Sequence, residues 1–259
     1  MRVVCAGVLL ALGNAMRPMV IVVIGAVVFV EVLQWVREAS LREFSAKALL
    51  PLLRPVVVVV VYVAVGAVLS FAVRVGGLNP NGLSNQFPTW KFVVGFNYEA
   101  SGKWNLHDDT YLFHIADFDE REARAREVLL ERLTENPARL PSLLLRKTRL
   151  MWATPDDAGW AFGHLGYGRR ISFLQDLSMA FVGGSFALFA LGGWVLFKRQ
   201  DTQSVPLLLT VIFLFYFGAH LLIEVQERYR DFGMIFVFIL GAYGVEFLRT
   251  CLDHSKKCG

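Results

Sequence analysis

The side chains of this chain that could do chemistry gather in a few short stretches set between long apolar runs. The densest is Glu224-Val225-Gln226-Glu227-Arg228-Tyr229-Arg230, packed between two such runs. Arg228 and Arg230, held at helix ends, have the fork geometry that matches phosphate oxygens and could grip a lipid-linked phosphate or pyrophosphate. Charged groups at membrane depth are costly and tend to be functional. The competing reading is a plain interfacial cap. His220, one helical turn earlier on an apolar background, reads as a histidine bonded within a helical bundle rather than a catalytic one.

A second stretch runs from Phe92 to Asp109. An apolar piece, Phe92-Val93-Val94-Gly95-Phe96-Asn97-Tyr98, is expected to be a short strand or extended segment; a glycine turn at Ser101-Gly102 follows, and then Lys103, Trp104, Asn105, Asp108 and Asp109. Aromatic faces beside carboxamides and carboxylates suit sugar recognition, which makes Asn97, Trp104, Asn105 and Asp108 candidates for a glycan or acceptor pocket. The alternative is a loop docked on the bilayer by Trp90 and Trp104. A third stretch, Arg146-Lys147-Thr148-Arg149-Leu150-Met151-Trp152, places cations beside leucine and tryptophan, the composition of a headgroup surface. Lys147 and its neighbours either snorkel to lipid phosphates in general or hold one particular lipid phosphate.

The elements that must position these residues are membrane helices. Pro55 to Val73 is an unbroken apolar run that includes six consecutive valines at 56–61, and it is too long for a strand. About 20 apolar residues cross ~30 Å of hydrocarbon as a helix, because in lipid the backbone must satisfy its own hydrogen bonds. The same test places spans at about 18–36, 55–73, 172–197, 205–223 and 231–249, with a shorter candidate over 1–15. The expected fold is an all-α polytopic membrane protein of five to six transmembrane helices with one large extracytoplasmic segment. Three parts follow: N-terminal membrane helices (1–73), the extracytoplasmic segment (74–170), and C-terminal membrane helices with a cytoplasmic tail (171–259).

Short loops collect Arg37, Arg42, Lys47 and Arg54 on one side, then Lys198 and Arg199, and the tail carries Arg249, Lys256 and Lys257. The positive-inside rule puts these in the cytoplasm and makes this a multi-pass protein of the cytoplasmic (plasma) membrane with a cytoplasmic C-terminus. Residues 74–170 and the 224–230 turn then lie outside. Arg17-Pro18 fits an outer hairpin, with Pro18 opening the next helix. The N-terminal run also fits a signal peptide ending near Gly13-Asn14-Ala15, although a membrane helix is the preferred reading.

Within the outer segment, Gly76-Gly77, Asn79-Pro80-Asn81-Gly82 and Pro88 mark irregular chain leaving the membrane. Residues 117–152 read as two amphipathic helices. Asp117 or Asp119 caps the first, whose apolar side holds Val128, Leu129 and Leu133, and Asn136-Pro137 starts the second with Asn as cap. Glu31 and Gln34 lie near the cytoplasmic end of their helix and can snorkel out.

Several functions lack support. A net charge of +4 is small for 259 residues, so no nucleic-acid partner is expected. The cysteines, Cys5, Cys251 and Cys258, lie outside the long loop and predict no disulfide framework there. There is no Walker-type glycine loop, HExxH, CxxC or GxSxG motif, and no internal repeat of the inverted-topology kind.

With these residues in view, the chain resembles the C-terminal half of the GT-C superfamily of membrane glycosyltransferases, which use polyprenyl-phosphate sugar donors, as the protein mannosyltransferases and lipid A aminoarabinose transferases do. The resemblance rests on four features and covers most of the chain: the Gly-rich helix ending in Asn14-Ala15-Met16-Arg17-Pro18, the Gly95-Phe96-Asn97…Ser101-Gly102-Lys103-Trp104-Asn105…Asp108 stretch, the Pro137…Lys147…Trp152 helix, and Glu224-Val225-Gln226-Glu227-Arg228-Tyr229. It implies inverting transfer of a glycosyl group from a polyprenyl-phosphate donor to an acceptor on the outer face. Arg228, with Arg230 or Lys147, would steady the phosphate, and Asn97, Trp104, Asn105 and Asp108 would shape the sugar or acceptor pocket. The implied partners are the lipid-linked donor and membrane lipid; the acceptor is not specified. One departure stands out. In that superfamily the catalytic carboxylate lies in a first outer loop and can hold a divalent metal, yet no Asp or Glu precedes Glu31 here. The expectation is therefore a fragment lacking the catalytic loop. No cofactor is read from the sequence, and the resemblance allows a divalent metal only in a full-length enzyme. The alternative is a non-enzymatic membrane protein, a lipid-linked sugar carrier or an assembly subunit.

Overall fold

A computed structural model of the chain describes residues 1–16, 19–39, 52–84, 87–155, 168–198 and 204–258. The helices are α1 (Arg2–Met16), α2 (Val20–Ala39), α3 (Leu53–Val75), α4 (Trp90–Gly95), α5 (Leu106–Phe113), α6 (Phe118–Thr134), α7 (Leu140–Trp152), α8 (Gly168–Lys198), α9 (Ser204–Leu222) and α10 (Arg230–Cys258), with 3-10 turns at Pro137–Arg139 and Glu227–Tyr229. Among the described residues there is no strand. Five helical stretches are long and apolar enough to cross a membrane: Val20–Arg37, Leu53–Val75, Ser172–Lys198, Val205–Leu222 and Glu227–Asp253. The chain is an all-α polytopic membrane protein, and the valine run at 56–61 is helical because a bilayer leaves a lone strand no partners. The expected hairpin at Arg17-Pro18 and the loop cations Arg42, Lys47 and Arg199 lie outside the described residues, as do the side chains of Lys256 and Lys257.

The chain divides into two compact units, Met1–Phe87 with Leu214–Tyr216, and Pro88–Phe213 with Phe217–Gly259. In the first, α1 packs on α3 at Gly7, where an added Cβ would stand 2.7 Å from Val61 Cβ and 2.9 Å from the Val58 carbonyl oxygen. The glycine thus sets how closely the two helices approach. After α3 the chain turns through Gly77 (φ 70°) and Gly82 (φ 65°), left-handed positions that glycine fills without a Cβ penalty. The Leu83 N–H donates to Ser70 Oγ at 3.0 Å, which folds this turn back onto its helix.

In the second unit, α8 and α10 pack backbone against backbone. A Cβ on Gly192 would run into the Leu240 carbonyl oxygen, and one on Gly244 into the Leu188 carbonyl oxygen. Lipid tails are as apolar as leucine, so close van der Waals approach over small residues, rather than escape from water, holds such helices together. Trp152, at the end of α7, lies 4.9 Å from the Phe186 ring of α8 and 5.7 Å from the Phe213 ring of α9, which anchors α7 to two spans.

Two local expectations change. Residues Phe92–Tyr98 are not extended: Trp90–Gly95 is a helix, with the Phe92 and Val93 N–H groups both donating to the Thr89 carbonyl at 3.0 Å. Without a neighbouring strand, the backbone of this apolar piece satisfies itself locally, whatever its β propensity. Asp117 does cap α6, accepting the Glu120 N–H at 2.9 Å. Asn136 makes no such cap; Pro137 opens a 3-10 turn instead, and α7 starts at Leu140 with Pro141 in its first turn.

Gly192→Ala and Gly244→Ala should each weaken resistance to SDS-induced unfolding by on the order of 1–3 kcal/mol, because the obstructing atoms are backbone and cannot swing aside. Gly183→Ala on the same helix α8, where a Cβ meets nothing within 4 Å, should be neutral or stabilising in the same titration.

Candidate functional site

The part of the second unit that lies outside its candidate spans is built around the end of α9. That helix stops at Leu222, leaving its last carbonyls without intrahelical donors. The ammonium of Lys147 supplies them: its Nζ donates to Leu221 O at 2.6 Å, Ile223 O at 2.7 Å and Gly95 O at 3.0 Å. Three donors meet three acceptors, and the side chain has no exposed surface. Burial pulls its pKa down to about 8, so it remains charged at neutral pH. Leu143, Lys147 and Met151 occupy one buried stripe of α7, four residues apart. Contrary to the headgroup placement expected from composition, Lys147 points into the protein and offers no N–H to a ligand.

The chain leaving α9 then runs extended against the segment that holds α4 and α5. The Glu224 N–H donates to Lys91 O and the Val225 N–H to Gly102 O, both at 2.9 Å. Side chains reinforce the contact: Lys91 pairs with the buried carboxylate of Glu224, which also accepts from Gln226, and Lys103 pairs with Glu227 at 2.8 Å. Gly95 is needed because a Cβ there would stand 2.5 Å from the Ile223 carbonyl carbon, and Gly102 (φ 76°) because one would press on the Lys147 stem at 2.9 Å.

Asp108 is the second node. Its carboxylate, 2 % exposed, receives both terminal nitrogens of Arg132 at 2.6 and 3.0 Å, Asn97 Nδ2 at 2.8 Å and Asn105 Nδ2 at 2.9 Å. Arg132 also donates to Val93 O at 2.6 Å, so one guanidinium ties α4 and α5 to α6. Asn105 caps α5 by accepting the Asp108 N–H at 2.9 Å, and Asn97 Oδ1 accepts the Ala100 N–H at 2.9 Å in a local turn. Burial acts to raise the Asp108 pKa, but the bonds from Arg132, Asn105 and Asn97 together with the Arg132 charge outweigh it and hold the carboxyl at about 2.

Beside this node opens a cleft of about 580 Å³, whose walls include Asn97, Tyr98, Asn105, Arg132, Glu135 and Arg139, with Glu99 and His107 also on its lining. With Asn136 also on the lining, it presents a phenol ring, three carboxamides, two guanidiniums and two carboxylates to one space, a mixture that fits a polyhydroxylated ligand.

The residues singled out from the sequence fall into three groups. Asn97 and Asn105 line the cleft, and Asp108 stands buried behind them. Trp104 is 51 % exposed and bonds Asp109 at 3.3 Å, away from the cleft lining. Lys147 and Arg230 face inward, Arg230 donating to Thr154 O at 2.6 Å while only 2 % exposed. Arg228 is exposed, its guanidinium 5.8 Å from the Tyr229 ring, and Tyr229 stacks on the buried His220 with centroids 4.7 Å apart. Sequence reasoning missed Arg132, Tyr98, Arg139 and Glu135. Arg132 had a usable signal, since it falls at helical spacing from Val128 and Leu129 on the covered side of α6. Among the described residues no three His, Cys, Asp or Glu side chains converge as a metal site, so the divalent metal allowed by the resemblance finds no ligand set there.

Comparisons with family models, with curated proteins and with solved structures gave no match for this chain.

Lys147→Met should leave three buried carbonyls without a donor, at a cost of about 1–3 kcal/mol for each unsatisfied group, and expose residues 88–154 to limited proteolysis. Asp108 has a folded pKa of about 2 against an ordinary 3.8. Its stabilisation is complete above the ordinary value and is lost as pH falls through the folded one. Acid titration of unfolding should show a loss of roughly 2 kcal/mol between about pH 4 and pH 2, at 1.36 kcal/mol per pKa unit. Asp108→Asn should remove that acid limb.

Proposed function

We propose that this chain handles a polyprenyl-phosphate-linked glycan on the extracytoplasmic face of the cytoplasmic membrane, as part of a glycosyl transfer. The single observation that carries the reading is the cleft, where the carboxamides of Asn97 and Asn105 share a wall with an aromatic ring and the carboxylates of Glu99 and Glu135. The resemblance of the sequence to polyprenyl-phosphate-dependent transferases supplies the reaction class. In such a transfer an acceptor hydroxyl loses its proton, its oxygen bonds the anomeric carbon, and the bond from that carbon to the phosphate oxygen breaks with its electron pair leaving on the polyprenyl phosphate. Positive charge near that phosphate is most effective because the negative charge grows as the bond breaks. Of the three cations marked from the sequence, Arg228 has the exposure this role needs, since Lys147 and Arg230 are buried. Arg228 follows Glu227, which is bonded to Lys103, and Lys103 belongs to the same loop as Asn97 and Asn105. No base is assigned to the acceptor.

A second reading, a carrier or assembly subunit that binds without transferring, draws on another observation. The buried carboxylates of the outer segment, Asp108 and Glu224, are occupied by Arg132 and Lys91.

One experiment separates the two. Membranes containing the protein are given a radiolabelled polyprenyl-phosphate sugar, and both photo-crosslinking to the chain and release of sugar from the lipid are followed. Capture with release supports transfer; capture alone supports the carrier. No preference for the lipid-linked sugar over phosphatidylglycerol removes both. Arg228→Ala should lower capture at least tenfold while membrane insertion and resistance to SDS remain normal. For the orientation, Trp104→Cys should react with a membrane-impermeant maleimide added outside intact cells, and labelling only after permeabilisation would reverse the topology.

A further inference from the structure

Arg139 ends the 3-10 turn ahead of α7, and Arg146 follows seven residues later, two helical turns along the same side. Both lie against one ring: the Tyr98 centroid is 5.0 Å from the Arg139 guanidinium carbon and 4.4 Å from that of Arg146. The two charges are thus held within roughly 10 Å, about one Debye length at 0.1 M salt, and repel each other. Each guanidinium has five N–H donors. Arg146 spends one on Tyr98 Oη at 3.0 Å, and Arg139 makes a 3.7 Å contact to Glu99, whose side chain is 85 % exposed. A surface pair of that kind contributes about 0–1 kcal/mol, too little to fix either arginine. By contrast, five other cations of this region have close carboxylate partners: Lys91 on Glu224, Lys103 on Glu227, Arg132 on Asp108, Arg124 on Glu127 and Arg126 on Glu122.

The height of this pair relative to the spans is defined by its neighbour. Lys147, adjacent to Arg146, is bonded to the carbonyls of Leu221 and Ile223, where α9 ends. Arg146 therefore sits at the level where a membrane span stops, which is the depth of lipid headgroups. Arg139 lies on the lining of the cleft and Arg146 at headgroup depth, both against the Tyr98 ring.

We propose that Arg139 and Arg146, mounted on Tyr98, form a clamp for the phosphate of a membrane lipid whose headgroup enters the cleft. A phosphate there accepts from both guanidinium forks, relieves their mutual repulsion and displaces the weak Glu99 contact. The proposal rests on the cleft being a ligand site; it adds a phosphate-binding pair separate from Arg228.

The test measures binding of purified protein in detergent to three sugar-free probes, polyprenyl phosphate, phosphatidic acid and inorganic phosphate, by native mass spectrometry and thermophoresis. Wild-type protein should bind the lipid phosphates. The double variant Arg139→Gln/Arg146→Gln should bind them at least tenfold more weakly, with an unchanged unfolding midpoint. Arg124→Gln/Arg126→Gln, which removes the same charge from α6, should stay within twofold of wild type. Equal binding by wild type and the clamp variant, or equal losses in the clamp and control variants, overturns the clamp. Inorganic phosphate binding as tightly as the lipids overturns the lipid assignment. Because no sugar is present, failure here leaves the transfer reading standing, whereas clamp binding with no preference for a lipid-linked sugar over the bare lipid phosphate would remove that reading and keep the clamp.

Discussion

One buried ammonium organises the segment between the second and third candidate spans of this protein. Lys147 reaches from an amphipathic helix into the place where a membrane span ends, and there bonds carbonyls from three separate points of the backbone. A helix that ends at a membrane surface must find donors for its last carbonyls, and water or its own following residues are the usual sources. Here a side chain from a different helix does it. Its charge is tolerated without a carboxylate because three carbonyl dipoles replace its hydration, and the arrangement demands close backbone approach at Gly95 and Gly102. The position of α7, the path of residues 223–225 and the shape of the loop between α4 and α5 all depend on this contact.

The second buried charge works differently. Asp108 and Arg132 are a bidentate pair, flanked by two asparagines that satisfy the remaining lone pairs. Such a pair contributes more to specifying one arrangement than to net stability, since removing either partner strands the other charge. Its location gives it a second consequence. Asn97 and Asn105 are oriented by Asp108 and at the same time line the cleft, so two of the lining carboxamides are held in place by a buried carboxylate. The part of the lining built on the Asp108 node is therefore fixed, while Glu99, Glu135 and Arg139 add exposed side chains to it.

Legibility in the sequence followed the range of the forces involved. The spans were readable because membrane insertion is a property of about 20 consecutive residues, and the observed helices reproduce the expected ones to within a few residues. The cap at Asp117 and the glycine turns at 76–82 were readable for the same reason, being decided by residues two or three apart. Phe92–Gly95 was misread because its β-branched composition signals a strand only where a partner strand exists. Asn97, Asn105 and Asp108 were picked out by chemistry, but their grouping around Arg132 was not, because Asn97 and Arg132 stand 11 and 24 residues from Asp108 along the chain and are brought to it by helix packing.

Residues 146 and 147 mark the division most clearly. The sequence alone determined a helical membrane protein with a cationic, amphipathic segment next to its spans, because hydropathy and helical periodicity are local. It could not decide which of two adjacent cations faces out. That choice was made by acceptors 52, 74 and 76 residues away, which draw Lys147 inward and leave Arg146 at the surface against Tyr98. A buried charge goes where desolvation is compensated, and only the folded chain brings the compensating dipoles to one point.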